Sequence, residues 1–367
     1  MSRTSRRHRA AVLGLVGATL AALGACSAPG DAAGAQLVGV AMPTTTSERW
    51  IGDGDNLQAQ LTSLGFDVDL EYAEDDPQAQ AAQIDAMLDA GAAALVVGAV
   101  DGTALTDVLD RAGVAGVPVV SYDRLIRDSD DVAYYASFDN ARVGYLQGTS
   151  LLEGLGVLDA SGQPTDATGP FHVELFAGST DDNNAKVFYD GAMAVLQPYL
   201  DSGVLVVPSG QTAFEQIATQ AWNGDLAGQR MVTLLPAYQG TGVSLDGVLA
   251  PNDPIARAVL TAVADGLPGA PTPKVTGQDA ELESARLVAA GTQLSTIYKD
   301  TRQLAEVAVV MVQAALAGAE PEVNDTWSYD NGTGVVPTYL LAPQLVTKDN
   351  YRSLLVDSGF YDEKELG

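Results

Sequence analysis

Polar side chains that could hydrogen-bond hydroxyl groups follow an apolar stretch of the chain at residues 117–122. The run Val117-Pro118-Val119-Val120-Ser121-Tyr122 is typical of a buried strand, and it ends at Asp123 and Arg124. In an open parallel α/β sheet, ligands bind just beyond the carboxyl ends of the strands. An adjacent carboxylate and guanidinium can accept from and donate to the hydroxyls of a sugar. A surface salt bridge after a strand is the alternative interpretation of this stretch taken alone.

Similar polar groups end several other apolar runs in both halves of the chain. They are Ser47-Glu48-Arg49-Trp50, Asp101-Gly102, Asp181-Asp182-Asn183-Asn184, Asn252-Asp253, Gln278-Asp279 and Lys299. Any one of them alone could be an ordinary helix cap, because Asp and Asn are favoured at that position. Their repetition predicts a cleft between two domains, lined by carboxylates, amides, two guanidiniums and an ammonium. Trp50 and Trp222 could offer flat apolar faces to a sugar ring, although both could instead be core residues.

The elements that must position these groups alternate between strand and helix. Predicted strands lie near residues 37–42, 66–72, 94–97, 117–122 and 133–138, and again near 171–176, 204–207, 247–250, 274–277 and 294–298. Apolar residues at helical spacing lie between them, including a mostly helical segment at 213–235 and a long helix at 301–317. Strands separated by helices of about a dozen residues imply parallel sheets covered on both faces. The sequence therefore predicts two successive α/β halves with a break near residues 139–142.

The composition limits the classes of function that fit the chain. Its 367 residues are enough for two domains, and its 47 acidic against 19 basic residues give a formal net charge of −28. Such an acidic surface argues against a nucleic-acid partner and against electrostatic docking on anionic lipid. After residue 8 the chain has one histidine, His172, which excludes a His/Cys metal cluster and a His-based triad. We expect no cofactor, no metal and no catalytic residue, although carboxylate pairs leave a glycosidase open.

The N-terminus has the pattern of an export signal. Four arginines precede an apolar run at 11–23, and small residues follow it before Cys26. The run is short for a transmembrane span, and Leu23-Gly24-Ala25-Cys26 resembles the bacterial lipobox. That resemblance implies cleavage before Cys26 and lipid attachment to its sulfur; the alternative is an ordinary signal peptide with an incidental cysteine. We expect a signal peptide at 1–25, a flexible tether at 26–35 and an extracytoplasmic protein held on the membrane by lipid alone.

Eight segments together resemble the periplasmic sugar-binding proteins of ABC importers, most closely the xylose-binding and multiple-monosaccharide-binding branch. They are Val38-Gly39-Val40-Ala41-Met42-Pro43 with Arg49-Trp50, Tyr72-Ala73-Glu74-Asp75-Asp76, Tyr122-Asp123-Arg124-Leu125-Ile126, Phe138-Asp139-Asn140, Asp181-Asp182-Asn183-Asn184-Ala185, Ser209-Gly210-Gln211, Gly277-Gln278-Asp279-Ala280-Glu281 and Tyr298-Lys299-Asp300-Thr301-Arg302. They occur in family order and span nearly the whole chain after the signal segment. Their combination is specific, although each segment alone is weak.

The resemblance implies a type I periplasmic-binding-protein fold, in which two Rossmann-like lobes with parallel sheets are joined by a hinge of three crossovers. It implies a first lobe of residues 36–139 and 300–328, and a second lobe of residues 140–299 and 329–367. It also implies which residues contact a monosaccharide in the cleft. They are Arg49, Trp50, Asp123 and Arg124 in the first lobe, and Asn183, Trp222, Asn252, Asp279 and Lys299 in the second. Asn184 and Asp253 are the neighbours that take those places if the register shifts by one.

Three functions fit these features. The first is a lipid-anchored, monomeric solute-binding protein that captures an aldose such as xylose, arabinose, glucose or galactose and delivers it to an ABC permease and its ATPase. The second is a sugar sensor that presents its closed form to a chemoreceptor or a membrane histidine kinase. The third, an enzyme, would be a secreted glycosidase. The resemblance favours the first, which needs no bond-making chemistry, and leaves the preferred sugar open.

Overall fold

The computed structural model describes residues 35–367, which form two lobes built on parallel sheets. The strands are β1 (Leu37–Met42), β2 (Asp67–Tyr72), β3 (Ala94–Val97), β4 (Val119–Tyr122), β5 (Val132–Phe138), β6 (Phe171–Leu175), β7 (Leu205–Val206), β8 (Gly247–Leu249), β9 (Lys274–Val275), β10 (Ser295–Tyr298), β11 (Thr338–Leu341) and β12 (Gln344–Thr347). The α-helices are α1 (Glu48–Ser63), α2 (Pro77–Asp89), α3 (Thr106–Ala115), α4 (Asn140–Gly154), α5 (Asn183–Asp201), α6 (Phe214–Ile217), α7 (Gly224–Leu234), α8 (Asp253–Gly266), α9 (Leu282–Ala290), α10 (Thr301–Leu316) and α11 (Glu363–Leu366).

The first lobe is the six-stranded sheet β11-β5-β4-β3-β1-β2 with its covering helices, and all of its strand pairs are parallel. The central strands β3 and β4 are buried along their whole length, as expected for a parallel sheet that is covered on both faces. Helices α1 and α10 cover one face, where Leu57 and Leu304 share a core with Val40. Helices α2 and α3 cover the other face through Met87 and Leu109. Because helices cover both faces of this sheet, polar side chains that can meet a ligand lie at the ends of its strands.

The second lobe contains the four-stranded parallel sheet β7-β6-β8-β9 and the antiparallel pair of β10 and β12. Helices α7 and α8 pack on one side of this sheet, where Met231 and Val259 share a core with Val248. Helices α4 and α5 supply Leu151 and Leu196 to a second core. The parallel α/β architecture predicted for both halves is confirmed, with the antiparallel pair as an addition to it.

The lobe division of the C-terminal segment differs from the predicted one. Residues 329–367 are expected in the second lobe, but β11 pairs in parallel with β5 in the first sheet. This pairing covers the backbone edge of β5, which would otherwise be an exposed edge. The chain then enters the second lobe at β12, whose residues pair with β10. The last crossing between the lobes therefore falls between residues 341 and 344, not at residue 329.

The segment at 213–235 is also different from the mostly helical run that apolar spacing predicts. It is divided into α6, a 3₁₀ helix at Gln220–Trp222, and α7. Ala221 and Trp222 have φ angles of 51° and 55°, in the left-handed region that L-residues do not sustain within an α-helix. The break places Trp222 beside the cavity between the lobes.

The predicted signal peptide at 1–25, Cys26 and the tether through residue 34 lie outside the described residues. Within residues 35–367, no helix is long and apolar enough to cross a membrane. The same part of the chain contains no group of three or more His, Cys, Asp or Glu residues placed to hold a metal ion.

Candidate functional site

A cavity of about 410 Å³ lies between the lobes, next to the carboxyl ends of both parallel sheets. Its lining from the first lobe consists of Thr44, Thr46, Ser47, Arg49, Trp50, Asp75, Asp123 and Arg124. Its lining from the second lobe consists of Asp182, Asn184, Phe188, Ala221, Trp222, Asn223, Gly224, Asp225, Asn252, Pro254, Arg257, Ala258, Gln278, Asp279 and Lys299. The size suits a small organic ligand, and most of the lining side chains are polar.

Four buried charges from both lobes meet in this cavity. The Arg49 guanidinium donates from Nη1 to Asp123 Oδ1 at 3.1 Å and from Nη2 to Asp123 Oδ2 at 2.5 Å. The Lys299 ammonium lies 3.0 Å from Asp279 Oδ1 and 3.8 Å from Asp123 Oδ2. Arg49 Nη1 also lies 3.8 Å from Asp279 Oδ1, so the four groups form one network. Planar, bidentate pairing of this kind fixes the carboxylate in place.

The surroundings of Asp123 favour its ionised form. Burial alone would raise the pKa of Asp123, but the charges of Arg49 and Lys299 and the hydrogen bonds from Arg49 outweigh it and hold that pKa well below its usual range. Behind Arg49, burial raises the pKa of Asp53 to about 6, against the opposing effects of the Arg49 charge and the hydrogen bond from Tyr122. Asp53 accepts from Arg49 Nε at 2.9 Å and thereby orients the guanidinium.

The backbone at Asp123 is held in an uncommon conformation, with φ of 59°. Its carbonyl oxygen accepts hydrogen bonds from Tyr135 Oη at 2.5 Å, Ser137 Oγ at 2.8 Å and Asn184 Nδ2 at 2.7 Å. A non-glycine residue in this region persists only when its surroundings fix it. Asn184 comes from the second lobe, so one of these three bonds also joins the two lobes.

Arg124 and Trp50 complete the first-lobe side of the cavity. Arg124 Nη1 donates to the carbonyls of Ala99 at 2.9 Å and Val100 at 3.1 Å, and its Nε lies 3.2 Å from Asp182 Oδ2. The guanidiniums of Arg49 and Arg124 lie 4.6 Å and 5.2 Å from the Trp50 ring. Trp50 is 5% exposed and belongs to the first-lobe core, yet it also lines the cavity. It is therefore both a core residue and a part of the cavity wall, the two alternatives left open by the sequence.

The structure brings nine of the eleven predicted contact residues to the cavity. They are Arg49, Trp50, Asp123, Arg124, Asn184, Trp222, Asn252, Asp279 and Lys299. The other two turn away. Asn183 accepts from Arg127 Nη1 at 3.2 Å. Asn184 lines the cavity in place of Asn183, because Asp182 is the N-cap of α5 and thereby fixes which residue of the first turn faces the cavity. The Asp253 carboxylate lies behind the cavity, where it accepts from the backbone N–H of Glu281.

Sequence reasoning did not assign several lining residues. Phe188 appears in the sequence only as an apolar position of a helix, yet it lies 6.1 Å from the Trp222 ring, edge to face. Lys299 Nζ lies 5.8 Å from the Phe188 ring. Asp182, predicted as a polar group at the cleft or a helix cap but not as a ligand contact, is both the cap of α5 and the partner of Arg124. Arg257 stands one turn after Asp253 on α8, which no local pattern marks as a cavity position.

Three buried polar atoms of cavity-lining residues have no hydrogen-bond partner among the described residues. They are Trp222 Nε1, Gln278 Oε1 and Asp279 Oδ1. The contact of Asp279 Oδ1 with Lys299 is therefore an ion pair without a hydrogen bond. Buried polar groups are almost always satisfied, so Trp222 Nε1 and Gln278 Oε1 are groups that a polar ligand in the cavity could bond.

The lobes also touch around the cavity. Ser47 Oγ donates to Glu281 Oε1 at 2.7 Å, and the backbone N–H of Gly102 donates to the Asp181 carbonyl at 3.2 Å. Arg124 and Asp182 form a third contact. These bonds join residues on opposite sides of the cleft, so the structure is in a closed conformation.

Comparison with known proteins agrees with this architecture. Residues 38–320 match the family model described as a periplasmic binding protein domain. The multiple sugar-binding periplasmic receptor ChvE of Rhizobium radiobacter is 49% identical over 342 residues, covering 92% of this chain and 94% of that protein. The D-xylose-binding periplasmic protein of Escherichia coli (strain K12) is 34% identical over 330 residues, covering 90% and 92%.

A solved structure is similar over the same range. It is an ABC transporter solute-binding protein from Clostridium phytofermentans with bound β-D-glucose, which superposes with a TM-score of 0.86 at 45% identity and covers 90% of this chain and 100% of that one. These relatives are binding proteins and not enzymes, and their family is extracytoplasmic. The predicted resemblance and fold are confirmed: the chain belongs to the periplasmic binding protein domain family.

Proposed function

We propose that this protein captures a monosaccharide aldose in the cavity between its lobes and delivers it to an ABC importer. The observation that carries the proposal is the set of buried, oriented polar groups around a cavity of about 410 Å³. The proposed contact residues are the nine predicted residues that line this cavity. We add Phe188, Arg257 and Gln278 because they also line it. The relatives that bind glucose, xylose or several sugars support the same assignment.

A sugar fits this lining because each hydroxyl can donate and accept at the same time. Asp123 and Asp279 supply acceptors, while Arg124, Asn184 and Lys299 supply donors. A sugar that lacks one hydroxyl leaves a buried group unpaired, which costs about 1–3 kcal/mol for a neutral group and more for a charged one. Trp222 and Phe188 offer apolar faces to the C–H surface of the ring.

A neutral sugar is favoured over a sugar acid. Among the described residues, each cation that lines the cavity already has a carboxylate partner: Arg49 with Asp123, Arg124 with Asp182, Lys299 with Asp279, and Arg257 with Glu281 at 2.7 Å. A ligand carboxylate would enter without a cation of its own, and burying an unpaired charge is costly. We therefore assign an uncharged aldose as the ligand class.

Binding would act by stabilising the closed form. A ligand that touches both lobes has a higher affinity for the closed than for the open arrangement, and it shifts the equilibrium by that difference. The importer would then recognise the closed form. A sensor that presents the same closed form to a membrane receptor is the second candidate, favoured by one relative that is itself named a receptor.

Isothermal titration calorimetry with xylose, arabinose, glucose, galactose and D-glucuronate tests the ligand class. We expect saturable binding of at least one neutral aldose, no product on prolonged incubation, and glucuronate at least about tenfold weaker. Turnover of a glycoside, or no binding of any of these sugars, would overturn the proposal. Loss of sugar uptake in a deletion strain, with an intact sugar-induced transcriptional response, would separate import from sensing.

We also propose that the protein is held on the cell membrane by a lipid on Cys26. The lipobox-like Leu23-Gly24-Ala25-Cys26 supports this, since it follows a basic and an apolar segment. Metabolic labelling with a fatty acid and membrane fractionation test it. Wild-type protein should be labelled and sediment with membranes, and Cys26→Ala should lose the label. A labelled C26A protein would contradict the assignment.

A further inference from the structure

The turn that carries Asp279 into the cavity has a strained backbone. Asp279 and Ala280 have φ angles of 93° and 50°, and neither is glycine. Such conformations are unfavourable for L-residues and persist only where the surrounding structure fixes them. Asp279 Oδ1 at this turn lies 3.0 Å from Lys299 Nζ and 3.8 Å from Arg49 Nη1, and Asp279 lines the cavity. The geometry of the turn therefore decides where a ligand meets Asp279.

The carboxylate of Asp253 fixes this turn from behind. Its Oδ2 accepts from the backbone N–H of Glu281 at 3.0 Å and from Thr296 Oγ1 at 3.0 Å. Thr296 Oγ1 in turn accepts from the backbone N–H of Ala280 at 3.1 Å. The two N–H groups that follow Asp279 are thus held, directly or through one hydroxyl, by a single side chain.

Asp253 is unusual for a residue without contact to the cavity. It is fully buried, and its hydrogen-bond partners are neutral groups: the Glu281 N–H, Thr296 and Gln293 Nε2 at 2.9 Å from Oδ1. Burial, followed by the nearby charge of Glu281, raises the pKa of Asp253 well above its usual range. A Cβ on Gly277 would lie 2.1 Å from Asp253 Oδ1, so the turn packs tightly against the carboxylate. Burying a carboxylate is costly, so its presence here is tied to the three donors that it holds in place.

We propose, on the basis of the sugar-binding function proposed above, that Asp253 is a positioning residue for the ligand: it locks the turn at 278–281 so that Asp279 meets both Lys299 and the sugar. It acts through Asp279 and does not touch the ligand. Asp253→Ala removes the acceptor for Glu281 N–H and releases Thr296, so the turn relaxes. Asp253→Asn keeps an acceptor oxygen at the same place.

Calorimetric affinity for the best neutral aldose tests the proposal in folded protein. We expect Asp253→Ala to bind at least about 30-fold more weakly, because it leaves buried donors of the turn unsatisfied, and Asp253→Asn, which keeps an acceptor, to stay within about fivefold of wild type. Thr296→Val, which removes the bonds to Ala280 N–H and to Asp253 Oδ2 but keeps the bond from Glu281 N–H to Asp253, should weaken binding by about five- to tenfold. It keeps the test decisive if Asp253→Ala does not fold.

Glu174 offers a matched control. It is a fully buried carboxylate of the same lobe, it accepts from the neutral groups Ser209 and Tyr238, and it does not line the cavity. Glu174→Gln should lower the melting temperature without changing sugar affinity. If Glu174→Gln weakens binding as much as Asp253→Ala does, Asp253 is merely structural.

A double-mutant cycle with Asp279→Asn separates positioning from general destabilisation. If Asp253 acts through Asp279, the double variant Asp253→Ala/Asp279→Asn should bind less than about threefold more weakly than Asp279→Asn alone. The effects of two substitutions on affinity are not additive when both residues act in the same interaction. Fully additive effects, or wild-type affinity in Asp253→Ala, would overturn the proposal. A wild-type protein that binds no aldose would instead overturn the proposed function, so the two failures are distinguishable.

Discussion

The Arg49 guanidinium holds both carboxylate oxygens of Asp123, at 3.1 and 2.5 Å, although the two residues lie 74 positions apart in the chain. Arg49 is the second residue of α1, and Asp123 directly follows β4. Their side chains are 6% and 5% exposed, so the pair is buried in the wall of the cavity. Loss of Asp123 leaves the two Nη groups of the buried Arg49 guanidinium without the carboxylate that they bond, which is costly.

Asp123→Ala should abolish sugar binding while leaving the fold intact. Truncating one member of a buried charge pair costs about 2–5 kcal/mol, which corresponds to at least about a 30-fold loss of affinity. Calorimetry measures the loss, and circular dichroism checks the fold. Asp190→Ala is a suitable control, because Asp190 forms an exposed ion pair with Lys186 and should leave affinity unchanged. Affinity of Asp123→Ala within a few-fold of wild type would remove Asp123 from the binding site.

Acid should weaken the fold through Asp123. Its pKa is lowered in the folded protein, so its contribution to stability is present above the unfolded value of about 3.9 and is lost as pH falls below it. The free energy of unfolding of wild type should therefore exceed that of Asp123→Asn at pH 7, and the difference should shrink between about pH 4 and pH 2. Urea titrations of both proteins without sugar measure it. A gap that does not change with pH would contradict the ion pair.

The sequence predicts the location of the site better than its register. Apolar runs mark the strand ends, and Asp123 and Arg124 follow one of them, so their place at the cleft follows from parallel-sheet geometry. Whether Asn183 or Asn184 faces the cavity depends on which residue caps α5, a shift of one position that the pattern does not resolve.

Other features depend on contacts that no local pattern contains. Strand β11 has four residues, and its place in the first sheet depends on pairing with β5, about two hundred positions earlier in the chain. The break at Ala221 and Trp222 uses left-handed residues that are neither glycine nor asparagine, so sequence gives no sign of it.

Gly178 should be needed for the position of the Trp222 ring. A Cβ at residue 178 would lie 2.1 Å from that indole, so Gly178→Ala must displace the ring or the backbone. Overpacking of this kind costs about 1–3 kcal/mol, and we expect sugar affinity to fall by at least about tenfold. Trp222→Ala should also weaken binding strongly, and Trp222→Phe less. If Trp222→Ala lowers only the melting temperature, the indole is a core residue without a ligand role.

The bond from Ser47 Oγ to Glu281 Oε1, 2.7 Å long, should slow the opening of the cleft. It joins α1's N-cap residue to the loop before α9, and Arg257 holds the other Glu281 oxygen at 2.7 Å. Ser47→Ala removes one bond that exists only between closed lobes, worth about 0.5–1.5 kcal/mol, or up to about tenfold in affinity. The change should appear mainly in the dissociation rate.

Stopped-flow Trp fluorescence with the best neutral aldose measures that rate. Thr45→Ala provides the matched control, since Thr45 Oγ1 donates to Glu74 at 2.8 Å within the first lobe and does not cross the cleft. We expect Ser47→Ala to release sugar several-fold faster than wild type, and Thr45→Ala to release it at the wild-type rate. Because Ser47 also lines the cavity, small-angle scattering of the ligand-free proteins separates its two roles. A larger radius of gyration in Ser47→Ala alone would show that the bond to Glu281 stabilises the closed form. Equal radii of gyration with faster release would instead show that Ser47 contacts the sugar.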